Sequence, residues 1–141
     1  MFEKQYEERM TLWREFRSTL EDSPDPIQDA IDFYNQAPAC RLATDPFDRQ
    51  TWPNPWELLE ENTYCAFVKI LAICYTLQLT DVLSKVNYEI HITHDQNKSS
   101  TYYLLYVGDR VIGFEESMHV HRNEIPNSIV SHHEYPMLPL H

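Results

Sequence analysis

Trp52-Pro53-Asn54-Pro55-Trp56-Glu57-Leu58-Leu59-Glu60-Glu61-Asn62-Thr63-Tyr64-Cys65 runs directly into the apolar segment Ala66 to Leu79, and this stretch decides the fold. Asn54 reads as an N-cap, Pro55 as the first helical residue, and Glu57 as the reciprocal capping partner three residues on. A helix is expected over about 55–79, kinked near Asn62-Thr63. From Tyr64 onward it is apolar almost all round, so it belongs at the centre of the molecule, covered on several sides.

Working back toward the N-terminus, Phe2, Tyr6, Met10, Trp13, Phe16 and Leu20 recur every three or four residues. That spacing predicts an amphipathic helix over about 2–21. Ser23-Pro24-Asp25-Pro26 ends it and starts another over about 26–35, with Asp25 as cap and Ile27, Ala30, Ile31 and Tyr34 as the buried stripe. Residues 36–53 form a long loop broken by Pro38, Pro46 and Pro53.

Working forward, the period changes from helical to alternating. Tyr88, Ile90 and Ile92 alternate with Glu89, His91 and Thr93, which predicts a strand over about 87–94. Tyr102 to Val107 is apolar on both faces and reads as the middle strand, about 100–107. Gly108-Asp109 suits a tight hairpin turn into a third strand, about 110–116. The fold class is therefore α+β: three helices on a three-stranded antiparallel β-meander. Residues 1–121 are read as one domain and 122–141, with Pro126, Pro136 and Pro139, as an irregular tail.

Composition narrows the function. The 141 residues carry a formal net charge of -11. Residues 1–62 hold 14 Asp/Glu against 6 Lys/Arg. Such a surface repels phosphate backbones and anionic lipid, so neither nucleic acid nor membrane is an expected partner. The two glycines, Gly108 and Gly113, leave no phosphate-cradling loop, and no cofactor is expected. Three cysteines without regular spacing do not describe a disulfide framework. The charged start Met1-Phe2-Glu3-Lys4-Gln5 does not read as a secretory leader, so a reducing cytoplasm is expected.

Cys65 is the sharpest chemical candidate, because a thiol in the first turn of a helix gains thiolate character. Three turns into a helix that began at Pro55, it would lose that help. Among the seven histidines, His119 and His121 would share a strand face and offer a weak metal pair, short of the three or four ligands zinc needs. Trp52, Trp56, Tyr102 and Tyr103 are candidate interface aromatics, since such rings bury a face and keep a polar tip wet.

A cysteine on a core helix followed by antiparallel strands resembles the transglutaminase-like and papain-like cores over residues 55–115. The resemblance implies a histidine in the region Ser100-Thr101-Tyr102-Tyr103, where none stands, and an acid near Phe114-Glu115, where Glu115 qualifies. It implies a cysteine-dependent hydrolase with Cys65 as nucleophile. Separately, Ala30-Ile31-Asp32-Phe33-Tyr34-Asn35, the Trp52–Leu59 stretch, Cys74-Tyr75-Thr76-Leu77-Gln78-Leu79 and the meander resemble small proteins of contractile-tailed cyanobacterial phages. That resemblance implies a non-catalytic viral protein, a virion or assembly component in the host cytoplasm or the virion. Its partners would be phage or host proteins, or a second copy of itself. The viral reading is the main expectation and the hydrolase the alternative.

Overall fold

The computed structural model describes residues 1–140. Four helices precede a five-stranded antiparallel sheet. The helices are α1 (Tyr6–Leu20), α2 (Pro26–Tyr34), α3 (Pro55–Glu61) and α4 (Ala66–Gln78). The strands are β1 (Tyr88–Asp95), β2 (Ser100–Val107), β3 (Arg110–Ile112), β4 (Val120–His121) and β5 (Ile129–Met137), in spatial order β4-β3-β2-β1-β5.

The helix starts are set by the capping residues. The Asp25 carboxylate accepts from the Gln28 amide at 3.1 Å. Asn54 and Glu57 form the full reciprocal box, at 2.9 Å and 3.0 Å. The single helix expected over 55–79 is two. Asn62 takes the left-handed conformation, φ 53°, and closes α3; asparagine tolerates this better than most residues. Tyr64 then runs extended, pairs with Ala39 in a parallel bridge and donates its amide to the Pro38 carbonyl at 3.1 Å. Cys65 is thereby the N-cap of a new helix, not a residue three turns into an old one.

The three-stranded meander is likewise incomplete. The segment expected to be an irregular tail supplies β5, which pairs along the whole of β1. Pro136 hides it in the sequence, yet a proline is tolerated because β5 is an edge strand. The third strand is shorter than expected because Gly113 turns away at φ +105°. A Cβ on Gly113 would stand 2.3 Å from the Tyr103 carbonyl oxygen, so only glycine fits.

Eleven of the thirteen α4 residues are buried. One side of the helix meets α1, α2 and α3, and the other meets the inner sheet face through Ile90, Leu105 and Ile112. The outer sheet face carries a smaller cluster of Leu104, Val111 and Val120, covered by Ile125 and Phe114. Arg9 is buried and closes the C-terminus of α3, donating Nε to Leu59 O at 2.8 Å and Nη2 to Glu60 O at 3.1 Å. Those carbonyls lack partners within their own helix.

Thr76 is wholly buried on α4 and joins three helices. Its hydroxyl donates to Ala72 O at 2.7 Å and accepts from Trp13 Nε1 at 3.0 Å. Its one hydrogen being spent, the 2.9 Å contact with Tyr34 requires the tyrosine to donate. Thr76→Val keeps the shape and orphans two buried donors. Each orphan costs about 1–3 kcal/mol, so chemical denaturation should show a loss of roughly 2–4 kcal/mol with an unchanged m-value.

Candidate active site at the start of the central helix

Cys65 lies where the broken helix restarts. Its backbone is extended (φ -70°, ψ 168°), and no side chain caps the helix there. The amides of the first turn of α4 are therefore free to favour negative charge. The residue is only 1% exposed, packed with Tyr64 and Phe67 in the core. Opposite, Tyr103 of β2 sets its ring 5.5 Å from that of Phe67. Burial raises the Tyr103 pKa, and the nearby Cys65 raises it further, so the phenol keeps its proton.

Tyr103 and Ala66 border a cleft of about 280 Å³ between α2, α4 and β2. Ile31, Ile70, Ile73 and Ile112 make its walls aliphatic. Lys69, one turn after Cys65, lines it as well, and its ammonium is hydrogen-bonded to Asn35 Oδ1 at the end of α2. Partial burial draws the Lys69 pKa down, against the pull of Glu116. Glu115, the expected acid, is exposed and also lines the cleft.

No histidine forms a hydrogen bond with Cys65 among the described residues. The region where the family layout implies one holds Thr101, which is exposed, and Tyr103. His91 instead sits on β1 in hydrogen-bond contact with Glu89 and Ser131. Cys74 is wholly buried and its thiol pKa is pushed up by burial. Cys40 is exposed on the loop.

The other candidates separate. His119 accepts at Nδ1 from Arg110 Nε (2.8 Å), so its Nε2 carries the proton and donates to the Asp25 carboxylate at 3.0 Å. His121 instead faces Asp109 at 3.4 Å and accepts the Asn123 amide. Among the described residues no three His, Cys, Asp or Glu side chains converge as a metal site. Trp52 packs on Phe67 and Tyr135, each at 4.9 Å, and fixes the loop to the core. Trp56 is 48% exposed with its edge on Trp13. Tyr102 faces the outer cluster beside Phe114. Tyr102 and Tyr103 both border the cleft, and of these four Tyr103 is the one near enough to Cys65 to feel its charge.

The fold is that of known solved structures. Legionella pneumophila LapG is similar at a TM-score of 0.67 and 15% identity, covering 93% of this chain and 71% of that one. The calcium-bound form of LapG is similar at 0.63 and 14%, covering 94% and 77%. LapG is a transglutaminase-like cysteine protease. No protein-family model and no curated protein sequence matches the chain. These findings correct the main expectation. The fold is shared with LapG, as the transglutaminase-like layout implies, and nothing supports the non-catalytic viral component or the resemblance to phage proteins. Among the described residues no helix is long and apolar enough to cross a membrane.

The Asp25–His119 contact has a pH signature. Partial burial pushes the Asp25 carboxyl up, but the hydrogen bonds from His119 and Gln28 outweigh it, and its pKa lies below the ordinary value. Its contribution to stability is complete above the unfolded-state pKa, near 4, and is lost as pH falls through the lower folded value. Asp25→Asn keeps a competent N-cap and removes the charge. The variant should be less stable than the parent at pH 7, with the gap in urea midpoint closing toward pH 3.

Proposed function

We propose that this chain is a cysteine-dependent hydrolase of the transglutaminase-like type, with Cys65 as nucleophile. The observation that carries the reading is the placement of Cys65 at the N-cap of α4, near Tyr103 and next to Ala66, which lines the aliphatic cleft. The likeness in fold to LapG supports it.

In this reading the Cys65 thiolate attacks the carbonyl carbon of an amide or ester whose neighbouring apolar group fills the cleft. The free amides of α4 favour the thiolate and then the oxyanion of the tetrahedral intermediate. The Tyr103 phenol, held protonated, donates a hydrogen bond to that oxyanion. Lys69 takes the part the family gives to histidine: its amine accepts the thiol proton and returns it to the leaving group. Water then releases the acyl group from Sγ.

In native buffer, iodoacetamide should modify Cys65, and Lys69→Met should slow that modification at neutral pH by about tenfold or more. Cys65→Ser should abolish cleavage of a peptide-ester library. Modification of Cys65 only after denaturation, or cleavage that survives Cys65→Ser, would overturn the reading. Cys74, wholly buried, should react only when the protein unfolds, and peptide mapping separates the two.

A further inference from the structure

The described residues hold one place where a hydroxyl, an imidazole and a carboxylate are joined in series, and it is away from Cys65. His91 on β1 is 5% exposed and contacts both neighbours. Its Nδ1 lies 3.1 Å from Ser131 Oγ on β5, and its Nε2 lies 2.9 Å from Glu89 Oε1. The carboxylate selects the tautomer. Nε2 must carry the proton, because a bare ring nitrogen against Glu89 would set two acceptors face to face. Nδ1 is then an acceptor, and the Ser131 hydroxyl donates to it. Nucleophile, base and orienting acid therefore stand in the order that acyl-transfer triads require.

A second observation falls at the same spot. The β1–β5 register shifts between Ile92 and Thr93: Ile92 opposes His133 and Thr93 opposes Ser131. His132 is the extra residue of a β-bulge, without a cross-strand partner. Its amide directly follows the nucleophile, and the amide in that position can serve an oxyanion hole. Ser131 is exposed and open to a substrate. The Tyr106 ring, 4.2 Å from the imidazole, holds His91 in place. Glu134 Oε1, 3.5 Å from Nδ1, stabilises the ring once it is protonated.

We propose that Ser131, His91 and Glu89 form a second nucleophilic site, on the outer side of the sheet, that takes acyl or phosphonyl groups from small neutral or cationic esters. With an ester, Ser131 Oγ bonds to the carbonyl carbon while its proton passes to His91 Nδ1. The alcohol leaves with that proton, and water hydrolyses the acyl-serine. Anionic esters are excluded by Glu89 and Glu134.

A fluorophosphonate probe tests this, because the serine oxygen forms the O–P bond, fluoride leaves and His91 takes the proton. Native protein should carry one adduct, mapped to Ser131 by peptide mass spectrometry. Ser131→Ala should carry none, and Glu89→Gln should label at least about tenfold more slowly. Both side chains are partly or fully exposed, so thermal melting should show the variants folded. No adduct on Ser131, or an equal labelling rate in Glu89→Gln, would reduce the cluster to a hydrogen-bond network and overturn the proposal. Because iodoacetamide reads Cys65 and the fluorophosphonate reads Ser131, either site can fail without the other.

Discussion

One buried hydroxyl sets the geometry on which the rest depends. Thr76 has one hydrogen and two lone pairs, and all three are used, by Ala72, Trp13 and Tyr34. The bonds run from α4 to itself, to α1 and to α2, so the rotation of α4 about its axis is tied to both neighbours. Aliphatic packing alone would tolerate some slippage, since apolar contacts are not directional. A hydroxyl with three fixed partners does not. That registration decides which α4 residues face α2 and the sheet, and hence that Ala66, Lys69, Ile70 and Ile73 line the cleft.

The break between α3 and α4 governs the chemistry in the same way. Had the helix run unbroken from Pro55, the amides around Cys65 would all be satisfied by carbonyls one turn earlier. The left-handed Asn62 and the extended Tyr64 end that ladder and begin another. The thiol thereby gains a helix N-terminus although it lies well inside the apolar stretch. Near it on β2 stands a phenol that holds its proton, which suits hydrogen-bond donation and not proton abstraction. The chain thus keeps the cysteine of the layout it resembles and sets a phenol, not a histidine, in its neighbourhood.

Much of this was legible in the residues. Asn54-Pro55 with Glu57 announced the start of α3, Asp25-Pro26 that of α2, and the change of period after Lys85 announced the sheet. Cys65 could be singled out because it opens the most apolar run. What stayed hidden depends on contacts between distant segments. Asn62 breaks the helix only because Tyr64 finds a partner at Pro38 and Ala39. β5 is exposed along most of its length and contains a proline, so neither alternation nor hydrophobicity marks it. Tyr103 read as an interface ring, since only pairing within the sheet turns it toward Cys65. Ser131 and His91 are 40 residues apart and meet through a bulge that no local pattern signals.

The strand order carries a consequence for how the chain folds. β1 lies between β2, which follows it in a tight hairpin, and β5, which begins more than thirty residues later. The hairpin can close within microseconds of its synthesis. The other side of β1 keeps its amides and carbonyls open until residue 129 and beyond have left the ribosome. During that interval the sheet offers a sticky edge to other nascent chains. Joining β5 is the long-range closure that removes it, which makes a strand synthesised well after β1 and β2 the guard against aggregation.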